Sequence, residues 1–297
     1  MAWRTIYIIN KCKLSLKDNN LIYNNFEKGD ILKVPLDDID VIMLENNYST
    51  ITTALLSQLP EYNIALFTCN NFNVPNSIMC PFNGHYRHLL IAKLQMNMSE
   101  PLKKRLWKKI IQRKIEGQSY VLQIFQKEEA KLIDNLRHKV KSGDPSNVEG
   151  YSASIYWKAL FGKFTRNDDN FINACLNYGY SIVRGVICRT LSVAGLLPAF
   201  GIFHCNQLNQ FNLADDFLEI YRPIVDFNVI KILQETKEKK ELTHNEKVKL
   251  LNILNFSVLL NNFEINVLNS VEIVIDSFVR AIKNNDYKML EIIDFIK

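Results

Sequence analysis

No uninterrupted apolar run in the sequence reaches the roughly 18 residues that a membrane-spanning helix needs. The chain also lacks the charged start, short apolar core and small-residue cleavage site that mark a secretory leader. These two absences argue against a membrane or exported protein. We expect a soluble, unexported protein with no membrane partner.

Cysteines are few and widely spaced. The six form no CxxC pair and no compact framework, which is typical of proteins whose thiols stay reduced. They are Cys12, Cys69, Cys80, Cys175, Cys188 and Cys205. Cys69 and Cys80 with the downstream His85 and His88 are candidates for a zinc site, but the ten-residue gap between the cysteines matches no common zinc finger. We therefore do not favour zinc.

Neither sign of charge dominates. The 36 Lys and Arg residues against 31 Asp and Glu give a formal net charge of +5 over 297 residues. This mild basic excess is compatible with a nucleic-acid partner and does not require one. With 47% hydrophobic residues the chain can bury one large core or two modest ones, and it shows no repeat of solenoid length.

Strand signals are concentrated in the first 75 or so residues. Short apolar runs separated by turn residues predict strands, and a run with a Ser or Thr cap and helical spacing predicts one short helix. The strands are "RTIYII", "CKLSL", "LIYNN", "DILKVPL", "DIDVIML" and "NIALFTC", the turn is "KDNN" and the helix is "STITTALLSQL". The stretch "NNFNVPNSIMCPFNGHYRH" is the best domain boundary. We predict a β domain over residues 1–75 and a linker over 76–84.

Residues 85–297 have helical apolar spacing. The predicted helical segments are 102–140, 146–161, 169–194 and 246–260, and few strand signals remain. The sequence thus predicts the α+β class, with a β-rich amino-terminal domain followed by a larger all-α domain.

One predicted helix, "PLKKRLWKKIIQRKI", is strongly cationic. It has no acidic residue between Glu100 and Glu116. Its face is either an ordinary solvated surface or a surface that follows the phosphates of DNA. The candidate DNA-binding residues are Lys103, Lys104, Arg105, Lys108, Lys109, Arg113 and Lys114.

The stretch "GIFHCNQLNQFNLADDFLEIYRP" holds one histidine followed by three carboxylates. Asn212 is predicted as the N-cap of a helix, with Asp215 in the position of a capping box. On the helical wheel Asp216 borders the apolar face, whereas Asp215 and Glu219 lie away from it. Arg222, three residues after Glu219, is a candidate partner for its carboxylate.

Two interpretations of this stretch remain open. It is a well-capped surface helix, or else Glu219 and His204 hold a hard divalent cation, with Asp216 as an additional candidate ligand. A thiol nucleophile at Cys205 beside His204 is weaker, because sequence neighbours usually point apart. Upstream, Glu149 is a further candidate acid, although Ser146 and Glu149 also match an S-x-x-E capping box.

Four runs in order resemble the CRISPR-associated spacer-acquisition integrase (endonuclease) family, most closely its type II branch. They are "MSEPLKKRLWKKIIQRKI", "GDPSNVEGYSASIYWKALFG", "INACLNYGYSIVRGVICR" and "AGLLPAFGIFHCNQLNQFNLADDFLEIYRPIVD". The resemblance covers nearly the whole chain. It implies an amino-terminal β-sandwich, a helical catalytic domain and a metal triad at the positions of Glu149, His204 and Glu219, with Asp216 contributing in some relatives.

The resemblance also implies an activity and partners. The activity is metal-dependent strand transfer with Mg²⁺ or Mn²⁺, in which protospacer DNA with free 3′ hydroxyls is inserted into a CRISPR repeat. The implied partners are double-stranded DNA, a second copy in a homodimer, and a small ferredoxin-like companion protein in a heterohexamer. The type II effector nuclease and other acquisition proteins are further candidates. The implied location is the prokaryotic cytoplasm.

One departure and two alternatives accompany this resemblance. Type II relatives often read Met-Glu-Pro-Phe-Arg-Pro where this chain reads "LEIYRP", so Ile220 replaces a proline and we expect the helix to run on more regularly. The alternatives are a metal-dependent endonuclease that acts on branched or free DNA ends without integration, and a non-catalytic DNA-binding scaffold.

Overall fold

The computed structural model describes residues 4–79, 86–236 and 241–295. The chain divides into two compact units, Met1–Gly84 and His85–Lys297. The predicted α+β class is confirmed, because the first unit is built mainly from strands and the second mainly from helices.

The amino-terminal unit contains two four-stranded sheets. Its elements are β1 (Arg4–Ile8), β2 (Cys12–Lys17), β3 (Asn20–Asn25), β4 (Ile31–Pro35), β5 (Ile39–Leu44), β6 (Thr50–Ile51), α1 (Thr53–Gln58), β7 (Ala65–Cys69) and β8 (Pro75–Met79). One sheet has the strand order β1-β5-β7-β8 and the other β4-β3-β2-β6. The six predicted strands and the short helix are present, whereas β6 lies inside the segment predicted as helix and β8 was not predicted as a strand.

A single hydrophobic core joins the two sheets. Ile42 and Leu66 come from the first sheet, Leu14 and Leu21 come from the second, and all four belong to one buried cluster. Two sheets that share one core form the β-sandwich that the resemblance implied.

The local turns and caps explain this arrangement. Asp18 and Asn19, between β2 and β3, have φ values of 52° and 58°, which suit a two-residue type I′ hairpin. Thr52 caps α1, because its side chain accepts a hydrogen bond from the Leu55 amide.

Part of the predicted linker is a strand. β8 lies at the edge of the first sheet and pairs antiparallel with β7, so residues 76–79 are not a connecting segment. Pro75 is tolerated because it is the first residue of an edge strand. The rest of the linker, residues 80–84, lies outside the described residues.

The carboxy-terminal unit is centred on one long, mostly buried helix, α7. The helices are α2 (His88–Met96), α3 (Glu100–Ile124), α4 (Ala130–Arg137), α5 (Val148–Phe161), α6 (Phe171–Val193), α7 (Asn212–Glu235), α8 (His244–Leu251) and α9 (Val267–Asn284). Both α3 and α6 pack against α7. Within the described ranges, no helix has both the length and the apolar character needed to cross a lipid bilayer. The predicted segment 102–140 is two helices, α3 and α4, with Gln126 at a φ of 53° between them.

The second domain is mostly helical, as predicted, and it also holds a small sheet that the prediction of an all-α domain did not include. Strands β9 (Ser257–Leu260), β10 (Phe263–Asn266) and β11 (Asp294–Phe295) have the order β10-β9-β11. Asn261 and Asn262 turn the β9–β10 hairpin with φ values of 52° and 67°. The predicted helix over 246–260 therefore ends early, with α8 at Leu251. The Asn-Asn pair between two apolar runs was the signal for this hairpin.

Candidate active site

Helix α7 supplies a carboxylate and a guanidinium to the candidate site. Glu219 is buried, at 4% exposure, and Arg222 Nε donates to Glu219 Oε1 at 2.7 Å. This pairing is one that the sequence left open. The prediction that Glu219 lies away from the apolar face is wrong, because α7 is packed by α3 and α6 and is not a surface helix. As expected, α7 continues through Ile220 without a break.

The start of α7 differs from its prediction. Phe211 is the N-cap and makes no side-chain capping bond, whereas Asn212 lies inside the helix. Nδ2 of Asn212 donates to three carbonyls of the preceding loop, those of Ala199, Asn206 and Asn209. Asn212 therefore ties loop 198–211 to α7, and Asp215 forms an ion pair with Arg184 at 2.8 Å instead of completing a capping box.

Glu149 lies in the first turn of α5 but does not cap it. The N-cap is Asn147, whose side chain accepts from the Gly150 amide. Asp144 accepts from the amides of Val148 and Glu149. These two residues replace the predicted Ser146–Glu149 capping box. The carboxylate of Glu149 is left to extend towards α3.

Lys114 of α3 joins the two glutamates. Its Nζ lies 2.5 Å from Glu149 Oε1 and 2.5 Å from Glu219 Oε2, and the residue is only 6% exposed. Its assignment to the DNA-binding surface is therefore wrong. Lys114 follows Trp107 and Ile110 at helical spacing, so it lies on the apolar, inward face of α3.

Close helix packing brings Lys114 and Glu219 together. Gly117, one turn after Lys114, faces Pro223, one turn after Glu219. A Cβ atom at Gly117 would lie 2.9 Å from Pro223 Cγ and 2.7 Å from Phe295 Cε2. Only glycine permits this approach, so the contact sets how near α3 comes to α7.

The charges of the cluster support one another. Burial alone would raise the pKa of Glu219, but Arg222 and Lys114 outweigh it and lower that pKa to about 2. Burial likewise opposes the charged form of Lys114, yet Glu219 and Glu149 raise its pKa. The ammonium of Lys114, where α5 and α7 meet, therefore stays protonated at neutral pH. Glu219 stays anionic.

His204 is held by Asp216. The imidazole Nδ1 lies 2.7 Å from Asp216 Oδ1, and the same carboxylate accepts from the amides of Ile202, Phe203 and His204. These four contacts use the four acceptor sites of a carboxylate. Asp216 therefore orients the imidazole and its loop, and it has no acceptor site left for a metal, contrary to its candidacy as a ligand.

The contact between His204 and Asp216 stabilises the protonated imidazole and the ionised carboxylate, whereas burial opposes both charges. The hydrogen bond that the imidazole donates to the Asp216 carboxylate raises the pKa of His204 above its usual value. Burial raises the pKa of Asp216, and the contact with His204 opposes that rise. Glu219 also contributes to the raised pKa of His204, which places the imidazole within electrostatic reach of the glutamate.

The three predicted ligands, Glu149, His204 and Glu219, all contact residues of α3, but they do not form one preformed cluster. The indole of Trp107 contacts the imidazole edge-on, with ring centroids 5.6 Å apart, whereas Lys114 contacts the glutamates two turns later on α3. Two turns correspond to about 10 Å along a helix. Accordingly, no three His, Cys, Asp or Glu side chains form a metal-binding group within the described part of the chain.

The donor groups nevertheless fit a divalent cation. Glu149 and Glu219 already converge on one positive charge. Glu219 Oε2 is buried and accepts no hydrogen bond of good geometry, so its contact with Lys114 is ionic. In the described structure the Nε2 atom of His204 makes no hydrogen bond, while Nδ1 is held by a carboxylate, the usual arrangement for a ligating histidine. Carboxylate oxygens suit Mg²⁺ or Mn²⁺, and the added imidazole nitrogen favours Mn²⁺ over Mg²⁺.

Comparison with known proteins decides the family. The family model of CRISPR-associated protein Cas1 matches residues 6–264. The chain belongs to the Cas1 family. The CRISPR-associated endonuclease Cas1 of Neisseria meningitidis serogroup C is 40% identical over 294 residues, which cover 98% of this chain and 96% of the relative. A Cas1 endonuclease of Francisella tularensis subsp. novicida is 27% identical, over 76% of this chain and 78% of the relative.

Two solved structures share the Cas1 fold of this chain. A casposase bound to an integration product has a TM-score of 0.78 at 18% identity, over 96% of this chain and 93% of that one. A chain of a Cas6-RT-Cas1–Cas2 complex has a TM-score of 0.73 at 17% identity, over 99% of this chain and 36% of that one. At these identities the likeness concerns the fold.

The basic face of this Cas1 chain is smaller than its sequence indicates. Lys103 is paired with Glu100 at 3.0 Å, and Arg113 with Glu116 at 3.1 Å. Lys109 donates to the carbonyls of Lys288 and Leu290, and Arg113 also pairs with Asp294. Of the seven candidates, Lys104 and Arg105 are exposed, and Lys103, Lys108, Lys109 and Arg113 are partly exposed. Contact of these six with DNA stays a prediction.

Neither the zinc site at Cys69 and Cys80 nor the thiol nucleophile at Cys205 gains support from the structure. Cys69 is buried and contacts Met43, while Cys80 and His85 lie outside the described residues. Cys205 is exposed beside His204, and among the described side chains it makes no hydrogen bond.

Sequence reasoning missed a second polar layer beneath the site. Asp226 is buried, at 1% exposure, and accepts from the hydroxyls of Tyr156 at 3.0 Å and of Tyr180. The Arg222 guanidinium lies over the Tyr180 ring, 4.6 Å from its centroid. Asp226 and Tyr156 each follow a glutamate of the site by seven residues, so this i+7 repeat was the available signal.

The burial of Asp226 predicts that the stability of the protein depends on pH. Burial raises its pKa to about 6, despite the hydrogen bonds from Tyr180 and Tyr156. The folded state therefore binds a proton that the unfolded state releases near pH 4, and ionisation of Asp226 opposes folding increasingly as pH rises through 4 to 6. Relative to Asp226→Asn, the wild type should gain about 1 kcal/mol of unfolding free energy when pH falls from 7.5 to 5.

Urea denaturation of both proteins at the two pH values measures this difference. The exposed Asp276→Asn variant is the control, and its difference from the wild type should not change in the same way. A pH-independent difference for Asp226→Asn would contradict the prediction.

Proposed function

We propose that the chain catalyses DNA strand transfer in CRISPR spacer acquisition, joining short protospacer DNA to a repeat array. The observation that carries the proposal is the convergence of Glu149 and Glu219 on one buried cation, with the His204–Asp216 pair nearby. The endonuclease names of the Cas1 relatives and the casposase bound to an integration product support chemistry on phosphodiesters.

Each side chain of the site has a physical task. Glu149, Glu219 and His204 are the residues that would hold Mg²⁺ or Mn²⁺, which when bound neutralises charge at the phosphate and at the attacking and leaving oxygens. Asp216 fixes the imidazole orientation, and Arg222 keeps Glu219 ionised. Lys114 holds the two carboxylates together at the junction of α3, α5 and α7.

The reaction is a transesterification. The 3′ oxygen of the incoming DNA forms a bond to phosphorus at the repeat boundary, and the bond to the repeat's own 3′ oxygen breaks. The attacking hydroxyl loses a proton and the departing 3′ oxygen takes one up, so the number of phosphodiester bonds is unchanged. In strand transfer the attacking group is therefore the DNA 3′ hydroxyl, whereas in cleavage it is water.

The proposal extends to partners. We expect a homodimer, bridged to a second one by a small ferredoxin-like companion, with the effector nuclease and other acquisition proteins as further candidates in the prokaryotic cytoplasm. The Cas6-RT-Cas1–Cas2 complex, one chain of which shares this fold, supports an assembly of this kind. The runner-up is a metal-dependent endonuclease without integration, which the names of the relatives favour.

A donor with a blocked end separates the two candidate functions. The chain and its companion are incubated with Mn²⁺, a supercoiled plasmid that carries a repeat, and short duplex donors ending in a 3′ hydroxyl or a 3′ phosphate. We expect donor–plasmid joining only with the hydroxyl, loss of joining in Glu149→Gln, and no loss in the exposed Glu128→Gln control. Equal nicking with both donors and no joining would favour the endonuclease.

A further inference from the structure

Phe203, the residue immediately before His204, is an exposed aromatic ring held in a fixed position. It is 49% exposed, although its amide is bound by the Asp216 carboxylate. The preceding turn is also constrained, because a Cβ atom at Gly201 would lie 2.2 Å from the carbonyl oxygen of His204. Neither the backbone nor the direction of this side chain has the freedom usual for a residue in a loop.

The ring of Phe203 stacks on Trp107. The two rings are 3° from parallel and their centroids are 4.3 Å apart. Trp107 is 1% exposed, and its buried Nε1 makes no hydrogen bond with the described residues. Packing under Phe203 and His204, and not hydrogen bonding, therefore fixes the indole. Because one face of Phe203 is covered by Trp107, its exposed area lies on the opposite face and the edge.

The imidazole of His204 lies beside the edge of the Phe203 ring, nearer to Trp107, and leaves the opposite face of Phe203 open. The ring centroids of Phe203 and His204 are 6.0 Å apart, with an angle of 84° between the planes. This separation is less than two nucleotide steps along a DNA strand, at about 3.4 Å per step. The base of a nucleotide that reacts beside His204 is therefore within reach of the open face of Phe203.

We propose that Phe203 is a stacking site for the terminal base at the 3′ end of the incoming DNA strand. The inference deepens the proposed strand transfer and rests on it. A base inside a duplex is covered on both faces by its neighbours, whereas the last base of a strand has one open face. That same nucleotide carries the hydroxyl that must reach the site. Stacking on a fixed ring positions the hydroxyl, and it is tolerant of base identity because every base has a π-face.

The experiment places the fluorescent base 2-aminopurine at the 3′ end of a duplex donor, since its fluorescence is quenched by stacking. Binding is measured in chelator, without turnover, for the wild type and for Phe203→Ala, Phe203→Leu and Phe203→Trp. The matched control is Phe200→Ala, because Phe200 lies in the same loop at 47% exposure and makes no ring contact among the described residues. Circular dichroism and melting temperature confirm that each variant is folded.

We expect quenching with the wild type, Phe203→Trp and Phe200→Ala, and loss of quenching with Phe203→Ala and Phe203→Leu. The donor concentration for half-maximal joining should rise about tenfold in Phe203→Ala, with little change in the maximal rate. Unchanged quenching in Phe203→Ala, wild-type behaviour of Phe203→Leu, or quenching only at an internal base would overturn the inference.

The same measurements separate this inference from the proposed function. Joining by the wild type without terminal quenching overturns the stacking site and leaves strand transfer intact. Terminal quenching in a protein that only nicks DNA supports the stacking site and overturns strand transfer. Equal loss of quenching in Phe200→Ala would show a general apolar contact of the loop, with DNA or with a protein partner, and would also overturn the inference.

Discussion

His204→Ala is expected to lower the rate of strand transfer at least about 100-fold, since loss of even a partner of a metal ligand costs 10- to 100-fold. The imidazole supplies the nitrogen donor of the candidate site, and its Nδ1 is already fixed by Asp216. The free energy of unfolding should change by no more than about 1 kcal/mol, because the side chain is 38% exposed and Asp216 keeps its three backbone donors.

Joining of a 3′-hydroxyl donor to a plasmid, measured beside urea denaturation, checks both parts of this result. The control is His138→Ala, which removes an exposed histidine. Asp216→Asn should show a smaller loss of rate, because the imidazole stays present but its orientation is less well fixed. Wild-type joining by His204→Ala would remove the imidazole from the site and with it the proposed triad.

Lys114→Met is expected to lower the free energy of unfolding by about 3 kcal/mol in chelator, because removing one member of a buried ion pair leaves the others uncompensated. Here Glu149 and Glu219 would face each other with Arg222 as the remaining neighbouring cation. Mn²⁺ should then stabilise the variant more than it stabilises the wild type, because no ammonium has to be displaced from the carboxylates.

Thermal unfolding across a Mn²⁺ titration measures both effects without reference to catalysis. The matched control is Lys108→Met, in the same helix, because Lys108 is only half-buried and forms no ion pair among the described residues. Stability of Lys114→Met equal to that of the wild type in chelator would mean that the ammonium does not hold the glutamates. A smaller gain from Mn²⁺ in the variant than in the wild type would mean that Lys114 assists the metal and does not compete with it.

The sequence predicts most strands of the amino-terminal domain well, because these strands and their turns are specified by local chemistry, whereas their arrangement as a sandwich was implied by the family resemblance. The "KDNN" turn and the cap at Thr52 illustrate this, since each depends only on neighbours in the chain. Caps further along were less predictable. Asn147 and Asp144 cap α5 in place of Ser146, and Asn212 binds a loop, because several polar residues compete for each helix end.

The interior of the site was not predictable from local pattern. Lys114 belongs to a run of cations that is typical of a solvated face, and its burial depends on carboxylates from α5 and α7 that lie 35 and 105 residues away along the chain. Asp226 has the sequence surroundings of an ordinary helical acid, and its tyrosine partners come from two other helices. Tertiary contacts of this kind are invisible to helical periodicity.

The proline of α7 has a mechanical consequence. Pro223 has no amide hydrogen, so the carbonyl of Glu219, four residues earlier, lacks the donor that would continue the backbone ladder. The helix therefore lacks one backbone hydrogen bond at the residue that carries the carboxylate of the site. Side-chain contacts hold α7 in place on either side of this position, those of Glu219 with Lys114 and Arg222 and those of Asp226 with two tyrosines, so the ion pairs of the site also stiffen the helix where its backbone is weakest.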